Sequence, residues 1–175
     1  MKRLFLSFAI LLATTTIMLA QQRVGSAIGL RFGSPTSLSA KHFFNDEAAV
    51  EVMAGFRPYF ARDYSYSFLG AAYQHHMPLD FGDSDLAGLH WYLGAGGTFQ
   101  FWKYKDEFFL RNLRGRGDYS TSTIRIAGYA GLQYALEEAP IEFTIDWSPS
   151  FTLGTTPFNN FRFGFYTLGV RYVLN

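Results

Sequence analysis

Apolar and polar positions alternate with a period of two through eight stretches of this chain. That is the period of a β-strand, whose successive side chains point to opposite faces. In 24–33, Val24, Ser26, Ile28, Leu30 and Phe32 alternate with Gly25, Ala27, Gly29 and Arg31. A second stretch follows at 37–44. In 50–57, Val50, Val52, Ala54 and Phe56 oppose Glu51, Met53, Gly55 and Arg57. Further strands are predicted at 66–76, 89–101 and 124–134. The cleanest alternation is in 141–151, where Ile141, Phe143, Ile145 and Trp147 oppose Glu142, Thr144, Asp146 and Ser148. The last stretch, 161–174, sets Tyr166, Leu168, Val170, Tyr172 and Leu174 against Thr167, Gly169 and Arg171. Pro149 cannot donate to a ladder, so a bulge or an early strand end is expected there.

The two faces differ in kind. One is large and apolar throughout. The other mixes Gly and Ala with Arg, Glu, Asp, Gln and Tyr, as if it lined a narrow lumen. The solvent face of a soluble sandwich would be rich in Lys, Glu, Thr and Ser. A soluble lipocalin-like barrel would turn its apolar face inward. Stretches of about ten residues suit a tilted strand crossing an apolar layer. The expected fold is therefore all-β, an antiparallel up-and-down transmembrane β-barrel of about eight strands. With the N-terminus on the periplasmic side, outer connections fall near 33–37, 57–66, 102–122 and 153–160. Inner ones fall near 45–47, 77–88 and 136–140. Short inner and long outer connections are usual for such barrels; the inner 77–88 is longer than that rule expects.

The first twenty residues belong to a different pattern. Met1-Lys2-Arg3 is basic, residues 4–19 carry no charge, and Ala20 precedes Gln21-Gln22. These are the parts of a cleavable signal peptide, 1–20, leaving 21–175 as one barrel domain. Losing Lys2 and Arg3 takes the formal charge from +1 to −1. A near-neutral mature chain gives no electrostatic basis for nucleic-acid binding. The chain has no cysteine, so neither disulfides nor thiolate metal sites nor a lipoprotein anchor are expected. Aromatics make up 19% of residues and charged residues 17%, and no apolar run past residue 20 is long enough for a spanning helix. An exported chain of that composition suits alternating strands.

On this pattern, and on the apolar alternation of its C-terminal strand, the chain resembles the small eight-stranded outer-membrane barrels of the OmpA/OmpX type. The resemblance implies residence in the outer membrane of a Gram-negative cell, contact with membrane lipid and lipopolysaccharide, and a monomer. It also implies recognition of Tyr166, Leu168, Val170, Tyr172 and Leu174 by the barrel-assembly machinery. The chain ends on Leu174-Asn175, whereas those families often end on an aromatic residue. No peptidoglycan-binding domain follows the barrel, so anchoring to the cell wall is not implied.

The alternation turns Arg31, Lys41, Glu51, Arg57, Arg125, Glu142, Asp146 and Arg171 inward. Charges so confined need partners. Glu51, Glu142 and Asp146 are expected to pair with Arg125 and Arg171, plugging the lumen. A narrow pore or small-ligand transporter is the alternative. A lipid-modifying enzyme is a third reading, weighed against the histidines His42, His75, His76 and His90. His76 and His90 fall at the periplasmic end, away from outer-leaflet lipid, and His75-His76 point to opposite faces and make a poor metal site. No catalytic, cofactor or metal site is expected. The outer stretch 103–122 holds Lys103, Lys105, Arg111, Arg114 and Arg116 against Asp106, Glu107 and Asp118, with Phe108-Phe109-Leu110 between; it is either a solvated outer loop or a contact for anionic lipopolysaccharide or a partner protein. Outward aromatics (Trp91, Tyr134 and Tyr172 at one end; Phe56, Phe99 and Phe101 at the other) are expected to form interfacial girdles. The leading functional reading is a non-enzymatic barrel with a filled lumen and a structural or surface-interaction role.

Overall fold

In the computed structural model, residues 25–33, 36–57, 64–79, 88–104, 119–136, 138–153 and 160–174 are described. Eight strands run in chain order: β1 Ser26–Phe32, β2 Ser37–Phe43, β3 Ala48–Arg57, β4 Tyr64–Pro78, β5 Leu89–Tyr104, β6 Tyr119–Ala135, β7 Ile141–Leu153 and β8 Phe161–Leu174. Each pairs antiparallel with its neighbours, and β1 closes on β8 through Ser26↔Leu174 to Phe32↔Leu168. The sheet thus has no free edge. In lipid this matters, because no water is present to satisfy an open row of backbone groups.

The barrel is inside out relative to a soluble protein. Its buried positions are mostly polar or charged, including Lys41, Glu51, Gln74, His76, Gln100, Asp146 and Arg171. Its exposed positions carry large apolar side chains on every strand, among them Ile28, Leu38, Val52, Leu69, Leu93, Ile126, Ile145 and Leu168. In water such a continuous apolar belt would be an aggregation hazard. Facing hydrocarbon, it is the favourable surface. The soluble lipocalin-like alternative fails on this orientation. Phe56, Phe99 and Phe101 are exposed towards one end of the belt. Trp91, Tyr134 and Tyr172 are half-buried towards the other.

β1 begins and β8 ends on the same side of the barrel as the strand ends that flank the β2–β3, β4–β5 and β6–β7 connections, the terminal end; the strand ends that flank the β1–β2, β3–β4, β5–β6 and β7–β8 connections are on the opposite side, the long-loop end. The strands β4, β5 and β6 run further than their apolar alternation suggests, to 15, 16 and 17 residues. Tyr119 to Thr123 continue β6 with hydroxyl-bearing residues, paired to Tyr104 to Gln100 of β5. The expected outer stretch 102–122 is therefore shortened to 105–118. Lys103 stands on β5, exposed and paired with Ser65 and Ser120. Lys105, Arg111, Arg114 and Arg116 lie outside the described residues, as do residues 1–24.

Pro149 does not end β7, which continues to Leu153. It does interrupt the ladder: β6 and β7 pair at Ala127↔Ser150 and Ala130↔Trp147 with nothing between. Across the other edge, Ser148↔Phe165 is followed by Ser150↔Arg162, so the extra residue of the bulge is on β8. Gly164 supplies it, at φ 135°, a conformation that side-chain-bearing residues rarely adopt. A Cβ at Gly164 would also run into the Trp147 indole.

Candidate functional site

The lumen divides into two parts. Towards the terminal end, a charged network takes a member from every strand. Glu51 of β3 is its centre. One carboxylate oxygen accepts from Arg31 Nη1 at 2.7 Å and Gln74 Nε2 at 2.6 Å. The other accepts from Ser39 Oγ at 2.5 Å and from Arg171 Nη2. Four donors fill the lone-pair sites of one carboxylate. Arg31 also grips both oxygens of Asp146 through Nη2, at 2.7 and 2.8 Å, and Tyr92 donates to that same carboxylate at 2.9 Å.

Arg171 is equally engaged. Its Nε donates to Ser39 Oγ at 2.7 Å, and its Nη1 reaches Glu142 at 3.0 Å and Thr144 at 3.2 Å. Lys41 donates to Gln133 at 3.0 Å, and Gln133 in turn donates to Glu142 at 2.9 Å. The Lys41 ammonium lies 4.0 Å from Glu142 and 5.1 Å from the centre of the Tyr92 ring. Tyr92 packs on His76, and His76 on Phe43. Three cations (Arg31, Lys41, Arg171) thus meet three carboxylates (Glu51, Glu142, Asp146), so the network is neutral as a whole. Charges this deeply buried persist only when paired in this way.

Glycines make the room. A Cβ at Gly131 would collide with the Tyr92 ring, and one at Gly169 with Thr144 and the Arg171 guanidinium. Small residues opposite long polar ones let an eight-stranded lumen be filled instead of hollow.

The expected pairing is corrected at one position. Arg31, not Arg125, joins Arg171 in holding the carboxylates. The stagger of the strands explains the exchange. Arg125 is level with Thr98 and Thr152, nearer the long-loop end, while Arg31 reaches down to the acids. Arg57 stands at the far end of β3, half-buried. The uncharged members Ser39, Gln74, Tyr92 and Gln133 were not expected as partners; for Gln74, Tyr92 and Gln133 the only signal was their place on the polar face.

Towards the long-loop end, above this network, is a cavity of about 60 Å³. Arg31 and Tyr129 belong to its floor, and Thr98, Arg125, Ser150 and Phe165 to its wall. The Arg125 guanidinium lies 5.9 Å from the centre of the Phe165 ring, and that of Arg162 lies 5.6 Å from it. Beyond, Tyr66 stacks on Trp102 at 4.6 Å, and Trp102 donates to Thr123 at 2.9 Å.

The histidines are spread out. His76 and His90 are buried near the terminal end. His75 sits 3.9 Å from Glu47. His42 Nδ1 is 3.0 Å from Ser26 Oγ on the outward face, with Phe44 edge-on at 5.2 Å on its other flank. Among the described residues no group of three metal-ligating side chains is brought together.

Solved structures with the same architecture place this geometry in context. The N-terminal β-barrel domain of Pseudomonas aeruginosa OprF superposes with a TM-score of 0.60 at 16% identity, over 88% of this chain and all of that one. The fold is that of the small outer-membrane barrels. Neisserial surface protein A matches with a TM-score of 0.50 at 15% identity, over 84% of this chain and 92% of that one. At such identities the likeness is one of fold. No protein-family model matches the sequence, and no curated protein matches it.

Proposed function

We propose that this chain is a non-enzymatic integral protein of the Gram-negative outer membrane whose lumen is sealed by an ion-paired plug, and whose role is structural or one of surface interaction. One observation carries the reading: a neutral network with a member from all eight strands spans the terminal-end part of the lumen, behind a continuous outward apolar belt. A barrel filled this way is a wall element. It presents its long-loop end to the outside and stays monomeric in lipid.

The surface role then falls to the long connections. The segment 105–118 carries Lys105, Arg111, Arg114 and Arg116 against Asp106, Glu107 and Asp118, around Phe108-Phe109-Leu110, a slightly basic and apolar mixture suited to anionic lipopolysaccharide. Residues 1–20 act as the export signal, and the outward row Tyr166, Leu168, Val170, Tyr172 and Leu174 serves recognition by the assembly machinery. Membrane fractionation combined with heat-modifiable gel migration tests the proposal. Recovery in the outer membrane as a compact species that shifts on boiling is expected. A water-soluble chain, or one without a heat-dependent shift, would overturn it.

A further inference from the structure

The cavity above the plug has an unusual chemical bias. Three polar atoms on its wall are buried without a hydrogen-bond partner: Thr98 Oγ1, Arg125 Nε and Ser150 Oγ. They come from three successive strands, β5, β6 and β7. Thr98 is level with Arg125 across one ladder, and Ser150 pairs with Ala127, the next inward residue of β6. Thr98 and Ser150 are both more than nine-tenths buried. Buried polar groups are nearly always satisfied, so three unpartnered donors on one cavity wall mark it as suited to a hydrogen-bond acceptor.

All three can donate, and one is a guanidinium. Among the described residues that line the cavity there is no acid; Glu51 and Asp146 lie below, with their oxygens spent on Arg31, Arg171 and Tyr92. The volume, about 60 Å³, is room for roughly four waters at about 10–15 Å³ each, or for one carboxylate- or phosphate-sized group.

We propose that this vestibule is a binding site for a small dissolved oxyanion, of the carboxylate or phosphate class, entering from the long-loop end. Thr98 and Ser150 donate hydroxyl hydrogen bonds to it, and Arg125 donates Nε–H and supplies the charge. A neutral solute would leave that charge uncompensated, and a cation would be repelled by Arg125. The site is independent of whether the plug conducts, since it lies wholly to one side of it.

The test is an amide-shift titration of the isotopically labelled barrel in uncharged detergent, once its heat-modifiable migration shows it folded. Inorganic phosphate and sodium acetate are the probes, with sodium chloride as the ionic-strength control. Saturable shifts centred on Thr98, Arg125 and Ser150 are expected with at least one oxyanion. Arg125→Met should weaken binding by about tenfold or more, the loss expected when a charge-assisted hydrogen bond is removed. Thr98→Val should weaken it less, and the outward variant His42→Gln should bind as wild type. The proposal fails if folded protein shows no saturable response, which would leave ordered water only in the cavity. It fails equally if chloride gives the same shifts, if His42→Gln loses as much as Arg125→Met, or if only a short-chain phosphatidic acid produces the response.

Discussion

The two halves of the lumen are built from the same residue types but are satisfied to different degrees. Near the terminal end, Arg31 is held by Glu51 and Asp146 and Arg171 by Glu51, Glu142, Ser39 and Thr144, and Glu51 accepts four hydrogen bonds. Near the long-loop end, Arg125 rests over an aromatic ring, with its Nε unpartnered beside two unpartnered hydroxyls. The difference shows that an inward charge does not by itself define a plug. Completeness does: a buried charge with all its partners holds strands together, whereas one without them keeps a place for something else.

Substitutions can break or sharpen this contrast. The largest effect is expected from Glu51→Ala, which leaves Arg31 and Arg171 without their shared acid. Breaking a buried pair by removing one partner costs about 3–5 kcal/mol, and urea titration of the barrel refolded into vesicles should show a loss of that order. Asp146→Asn should cost less, about 1.5–3 kcal/mol, because Arg31 keeps Glu51. Gly131→Val forces a side chain into the Tyr92 ring and should cost about 1–3 kcal/mol by overpacking. The smallest effect belongs to Arg125→Met, within about 1 kcal/mol of wild type, since it strands no acid and keeps an apolar stem against Phe165. Its counterpart Arg171→Met takes a hydrogen-bonded cation from both Glu51 and Glu142. If the two arginine variants lose the same stability, the division of the lumen is wrong.

The strands were legible because two physical demands act together along them. Lipid selects large apolar residues on one face, and a narrow lumen selects small or polar ones on the other, so β7 reads almost without error from Ile141 to Ser148. Where either demand relaxes, the reading stops short. Tyr119 to Thr123 extend β6 with residues that suit a strand or a loop equally, and the end of the strand was missed. The inward phase of Arg31, Glu51 and Arg171 could be read for the same reason. Their pairing could not, because partners across a closed barrel are set by stagger, which a linear pattern does not contain. Arg31 and Arg125 look alike in sequence, yet only Arg31 is level enough with Glu51 and Asp146 to reach both. The bulge was half legible: Pro149 marked the place, but the extra residue is Gly164 on the neighbouring strand.

The central claim is that the network closes the lumen, and single-channel recording of the purified barrel in planar bilayers tests it most directly. A quiet membrane is predicted for the wild-type protein, with openings appearing only when Glu51 or Arg171 is replaced. A stable open conductance in the wild-type barrel would contradict the account.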